Sequence, residues 1–104
     1  MKTDTLLQGL PAAGLLVEGL RDVALGRLSI PACLVAIAAP RLRRSGLLDR
    51  AASELPADPE LQLYELLRQA GGDAYSRYNS LLRELISFEQ ALDHRLRRSG
   101  LFEV

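Results

Sequence analysis

The residues of this chain that could perform nucleophilic or acid–base chemistry are few and far apart. The sequence of 104 residues contains one cysteine, Cys33, and one histidine, His94. A catalytic Cys–His pair needs a thiol activated by the neighbouring base. Cys33, however, lies in an uncharged apolar run, residues 28–40, where a small buried core residue is the favoured interpretation. With one histidine, neither a histidine pair nor a Cys–His zinc site can form within one chain.

Carboxylates are plentiful but scattered, and three of them, Glu84, Glu89 and Asp93, fall near one side of the last predicted helix. Di-iron sites in helical bundles also use a Glu-x-x-His motif, which does not accompany these residues. Asp93 precedes Arg97 by four residues, the favourable order for a surface ion pair on a helix. We therefore assign no catalytic residue, metal ligand or cofactor, and the sequence favours a protein that is not an enzyme.

Two arginine clusters are the remaining candidates for binding chemistry. Both lie in the heptapeptide Arg-Leu-Arg-Arg-Ser-Gly-Leu, which occurs at 41–47 and again at 95–101. The predicted basic patch comprises Arg41, Arg43, Arg44, Arg95, Arg97 and Arg98. Arginine suits bidentate contacts with phosphate, but 13 basic and 13 acidic residues give a net charge of +0, whereas nucleic-acid binders usually carry a basic excess. A nucleic-acid-binding regulator is thus the alternative hypothesis, and electrostatics at helix ends is the favoured explanation of the clusters.

The same heptapeptide is typical of the C-terminal end of a helix. With Gly46 at the C′ position, Leu42 and Leu47 occupy the two positions that touch in a Schellman cap. Glycine accepts the left-handed conformation that this cap requires, and cations are favoured in the last turn by the helix dipole. Gly100 repeats the arrangement at the end of the chain.

Composition and spacing predict an all-α fold. Hydrophobic residues make up 48% of the chain and aromatic residues only 5%, and the leucine- and alanine-rich composition favours packed helices over a sheet. The sequence predicts a single domain, 1–104, of about five helices in a small bundle-like arrangement with a long C-terminal helix. The predicted helices run from Pro11 to Leu25, from Ser29 to the Gly46 cap with a break at Pro40, from Leu47 to Leu55, from Asp58 to Ala70, and from Asp73 to Ser99.

Two glycines fall inside the first predicted helix, Gly14 and Gly19. Each weakens a helix by roughly 1 kcal/mol relative to alanine. The sequence predicts that close approach of a neighbouring helix compensates for both.

The last helix has the length and the periodicity of a helix that pairs with another. About 26 residues at ~1.5 Å each give roughly 39 Å, at least the expected diameter of a compact domain of this size. Its predicted heptad seam, with steps of three and four residues, comprises Tyr75, Tyr78, Leu82, Leu85, Glu89, Leu92 and Leu96, and Leu81 and Phe88 widen it. Glu89 either sets register within this seam or faces solvent.

The function that these features favour is a small protein-interaction module that forms a homodimer, or binds another protein, through the helix from Asp73 to Ser99. One cysteine allows no intrachain disulfide, which fits a reducing compartment. The first residues lead to no clear secretion signal, and the longest central apolar run is too short to span a bilayer. We therefore expect a cytoplasmic protein with no membrane segment. We also expect a bacterial origin, and the codon bias of a GC-rich genome explains why nearly all basic residues are arginine.

Overall fold

The computed structural model describes residues 7–48 and 55–99, and this part of the chain is all-helical. Its five helices are α1 (Ala13–Ala24), α2 (Ile30–Ile37), α3 (Ala39–Arg44), α4 (Pro59–Ala70) and α5 (Ala74–Ser99). The prediction of an all-α fold with a long C-terminal helix is confirmed. The helix predicted for Leu47 to Leu55 lies mostly outside the described residues, and Leu47 and Leu48 form a bend rather than a helical turn.

The central element is α2, as its uniformly apolar sequence predicts. Ser29 caps it, since the Ser29 hydroxyl accepts a hydrogen bond of 3.1 Å from the Ala32 amide. Five consecutive residues of α2 are buried: Pro31, Ala32, Cys33, Leu34 and Val35. α1 packs along one side of α2 and α4 packs along another, so α2 lies between them in the core.

Gly19 allows α1 to approach α2 closely. A Cβ atom built on Gly19 would overlap the carbonyl oxygen of Pro31 and would lie 2.6 Å from Cγ2 of Val35. The same construction on Gly14 meets nothing within 4 Å. The prediction that a neighbouring helix compensates for glycine is therefore confirmed at Gly19 and wrong at Gly14, which faces open space.

The second predicted helix is interrupted near Pro40 and ends at Gly46, as the sequence predicts. α2 ends at Ile37, and Pro40 lies in the first turn of the separate short helix α3. The Leu47 amide donates to the Leu42 carbonyl at 2.9 Å and the Gly46 amide donates to the Arg43 carbonyl at 3.1 Å. These are the two bonds of a Schellman cap, and Gly46 has the left-handed φ of 82° that it requires. The second copy of the cap, at Gly100, lies outside the described residues.

α4 and α5 form an antiparallel hairpin joined at Gly71 and Gly72. The Tyr64 and Tyr78 rings pack edge to face, with centroids 5.7 Å apart and planes at 82°. Asp73 caps α5 as predicted, because its carboxylate accepts from the Ser76 amide at 3.1 Å. Asp58 precedes α4 as predicted, but it has a left-handed φ of 46° and its side chain makes no capping hydrogen bond.

α5 is one uninterrupted helix of 26 residues. The molecule measures 42 × 27 × 21 Å, so its long axis matches the roughly 39 Å that 26 helical residues span. The largest fully buried side chain in the described part of the chain is that of Phe88 in α5. None of the described helices combines the length and hydrophobicity needed to cross a bilayer.

Candidate interaction surface on the long helix

The face of α5 that packs into the core overlaps only partly with the predicted heptad seam. The core-facing stripe, as we call it, follows steps of three and four and comprises Ala74, Tyr78, Leu81, Leu85, Phe88, Leu92 and Leu96. Leu85, Leu92 and Leu96 belong to the predicted seam but are at most 3% exposed. Their apolar surface is therefore covered within one copy of the chain, and a partner cannot reach it in the folded state.

Two residues of the predicted seam, Tyr75 and Leu82, lie beside the core-facing stripe together with Ile86, which the seam did not include. Tyr75 is 68% exposed and Ile86 is 52% exposed, while Leu82 touches both the core and solvent. With the half-buried Asn79, these residues follow steps of four, three and four along α5, which places them on one face of a helix. We call Tyr75, Asn79, Leu82 and Ile86 the outer stripe; it carries no charged residue.

The outer face of α5 changes from apolar to charged after Ile86. Glu89 and Asp93 continue the same spacing, and the Arg41 guanidinium of α3 forms a salt bridge with the Asp93 carboxylate. This pairing joins α3 to the C-terminal half of α5. The predicted pairing of Asp93 with Arg97 stays a prediction. Burial raises the pKa of the half-buried Glu89, the nearby Arg41 charge opposes that rise, and the Asp93 charge adds to it.

The arginine clusters are partly used within the fold. Arg41 is bound to Asp93, and the Arg95 guanidinium donates a hydrogen bond of 2.6 Å to the Gln8 carbonyl. Arg44, Arg97 and Arg98 are exposed and Arg43 is half-buried. A shallow cleft of about 520 Å³ lies between the N-terminal segment and α5, lined by Leu10, Ala91, His94, Arg95 and Arg98. The Arg41–Asp93 contact brings the end of α3 to the same half of α5 as the second arginine cluster.

The residues considered for catalysis and metal binding have other surroundings. Cys33 is completely buried in α2 and burial raises the pKa of its thiol, whereas His94 is exposed. Glu84 is exposed on α5. Within residues 7–48 and 55–99, no three or more His, Cys, Asp or Glu side chains are grouped so as to hold a metal ion.

Sequence reasoning missed Ile86 and Asn79 as surface residues of this helix. Both lie three or four residues from Leu82, and this spacing would have identified them had the core-facing residues been known. The other large apolar residues exposed in the described part are Leu25 and Leu28, beside the α1–α2 connection, and Leu61 on α4.

Comparison with protein-family models, with curated protein sequences and with solved structures found no match to this chain.

Proposed function

We propose that this chain is a protein-interaction module that self-associates through the outer stripe of α5. The observation that carries the proposal is a second apolar stripe on a helix whose first stripe already fills the core. Isolated exposed leucines are common on protein surfaces. In the outer stripe, by contrast, Tyr75, Leu82 and Ile86 share one face over about three turns, the pattern with which a helix contacts another helix.

A second copy of the chain suits this surface, because two uncharged stripes can face each other without repulsion between like charges. The outer stripe is uncharged from Tyr75 to Ile86, and the whole chain has a net charge of +0. Association of two copies therefore meets little long-range repulsion. The lone buried Cys33 is compatible with the cytoplasmic, reducing location that we propose for the dimer.

The size of the stripe indicates a weak and reversible dimer. An aromatic side chain can bury about 150–250 Å², so Tyr75, at 68% exposed, offers roughly 100–170 Å². Four side chains of this order give about 400 Å² per copy, against about 800 Å² per partner in a standard stable interface. Interfaces of this size are typical of transient complexes, so we expect dissociation on dilution.

Sedimentation equilibrium from about 10 µM to about 1 mM tests the proposal. The expected result is an average mass that rises from 11.4 kDa toward twice that value as concentration increases. Ile86→Lys places a charge in the stripe and should keep the chain monomeric. Leu25→Lys is the matched control, because Leu25 is similarly exposed but lies after α1. A wild-type mass that stays monomeric across the range, or equal weakening by both substitutions, would contradict the proposal.

The alternative function is nucleic-acid binding through the arginine clusters. The cleft beside His94, Arg95 and Arg98 supports it, because three basic side chains meet there. Against it, Arg41 is neutralised by Asp93, and the net charge is +0. Fluorescence anisotropy with duplex and single-stranded probes at low salt tests this alternative. Binding that falls steeply with added salt would favour it, and absence of binding at low salt would remove it.

A further inference from the structure

We infer that the two copies of α5 pair antiparallel, with the symmetry axis between Ser80 and Leu81. This inference rests on the proposed self-association and specifies its geometry. A two-fold axis at that level places Tyr75 opposite the second copy's Ile86, and Asn79 opposite the second copy's Leu82. The four positions of the outer stripe are thus all matched within one stretch of about 17 Å, given ~1.5 Å per residue.

The position of α3 disfavours the parallel alternative. The Arg41 side chain of α3 reaches the Asp93 carboxylate on the outer face of α5, beyond the end of the stripe. In a parallel pair, both Arg41–Asp93 salt bridges lie at the same level, where the two sets of side chains would have to fit between the long helices. In the antiparallel pair, Asp93 lies beyond the first residue of the second copy's α5, so each Arg41–Asp93 salt bridge lies clear of the opposite long helix.

The carboxylates beyond the end of the stripe also favour the antiparallel pair. A parallel pair in register places Glu89 beside the second copy's Glu89, and Asp93 beside its own equivalent. Burial already raises the pKa of Glu89, which reflects the cost of holding its charge there, and a second carboxylate at the same level would increase that cost. The antiparallel pair separates these carboxylates and sets the helix dipoles in opposite directions, which is the favourable arrangement.

Disulfide cross-linking distinguishes the two geometries. Tyr75→Cys and Ile86→Cys are prepared separately, one with a mass tag, and oxidised alone and mixed at a concentration where the wild type sediments as a dimer. The antiparallel pair predicts cross-linking only in the mixture, as a band of intermediate mass. The wild-type chain, whose Cys33 is buried, is the control and should stay uncross-linked.

A spin label at Gln90→Cys provides a second measurement that leaves the outer stripe intact, since Gln90 is exposed and outside it. The antiparallel register separates the two labels by roughly 30 Å along the helix axis, whereas a parallel pair keeps them within about 20 Å. Cross-linking of each variant with itself, together with the short label distance, would overturn the antiparallel geometry while leaving self-association standing. Failure of the wild type to dimerise would overturn self-association itself.

Discussion

Replacing Gly19 by alanine should destabilise the protein although alanine is the better helix former. A methyl group at Gly19 would overlap the Pro31 carbonyl oxygen and lie 2.6 Å from Val35 Cγ2. The carbonyl belongs to the backbone of α2, so relief requires that α1 move away from the central helix. Overpacking of this kind costs about 1–3 kcal/mol, against a gain in helix propensity of about 1 kcal/mol.

We take the upper part of that range because a backbone atom cannot rotate away. Gly19→Ala should then lower the free energy of unfolding by about 1–2 kcal/mol net. For a chain of this length, that corresponds to a decrease in Tm of roughly 5–15 °C. Thermal and urea unfolding, followed by circular dichroism at 222 nm, measure both quantities at a concentration where the protein is monomeric.

Gly14→Ala is the matched control in the same helix. Nothing lies within 4 Å of a Cβ atom at Gly14, so only the propensity gain remains. We expect Gly14→Ala to increase the free energy of unfolding by about 0.5–1 kcal/mol. If Gly19→Ala stabilises the protein as much as Gly14→Ala does, the close approach of α1 and α2 is wrong.

Three further predictions concern titratable groups. Glu89→Gln should stabilise the protein near neutral pH, because the raised pKa of folded Glu89 means that its ionisation costs stability as pH rises above the ordinary value of about 4.3. The variant should therefore have a higher urea midpoint than wild type at pH 7, and this difference should vanish at low pH. A variant that is less stable at pH 7 would show that attraction between Glu89 and Arg41 dominates. Asp73 has the opposite sign: hydrogen bonds from Ser76 lower its pKa, so its contribution is present above about pH 4 and lost as pH falls through the lowered value. Asp73→Ala should reduce stability at pH 7 and flatten the loss of stability in acid, and an unchanged acid profile would contradict the capping role. The Cys33 thiol should react with Ellman's reagent only after unfolding, because it is buried and burial raises its pKa. Fast reaction of the native protein would show that α2 does not lie in the core.

Helix ends were predictable from the sequence where a few adjacent residues determine them. Gly46, Ser29 and Asp73 each act through hydrogen bonds that span at most five residues. Asp58 shows the limit of such reasoning. Its residue type fits an N-cap, but its backbone is left-handed and its side chain makes no capping hydrogen bond.

The rotation of α5 could not be predicted in this way. Leu81 and Leu82 are adjacent and equally apolar, and each belongs to a stripe with other apolar residues. A shift of one residue turns a helix by about 100°, so the face that enters the core depends on residues distant in sequence. Phe88 is decisive in the structure: it is completely buried, and it lies seven residues from Leu81, which places both on the same face. The predicted seam was centred on Leu82 and Glu89 and included Leu81 and Phe88 only at its edge.

The contribution of the outer stripe to dimer formation can be measured separately from its contribution to the stability of one copy. Ile86 is 52% exposed, so removing its apolar side chain should cost a monomer little stability. Ile86→Gln should therefore leave the Tm of dilute protein almost unchanged while lowering the fraction of dimer in concentrated protein. A substitution that lowers both would instead mean that Ile86 supports the core, and that the outer stripe is the edge of that core. Dilute stability and concentrated mass, measured on this one variant, separate an interface from an incidental apolar surface.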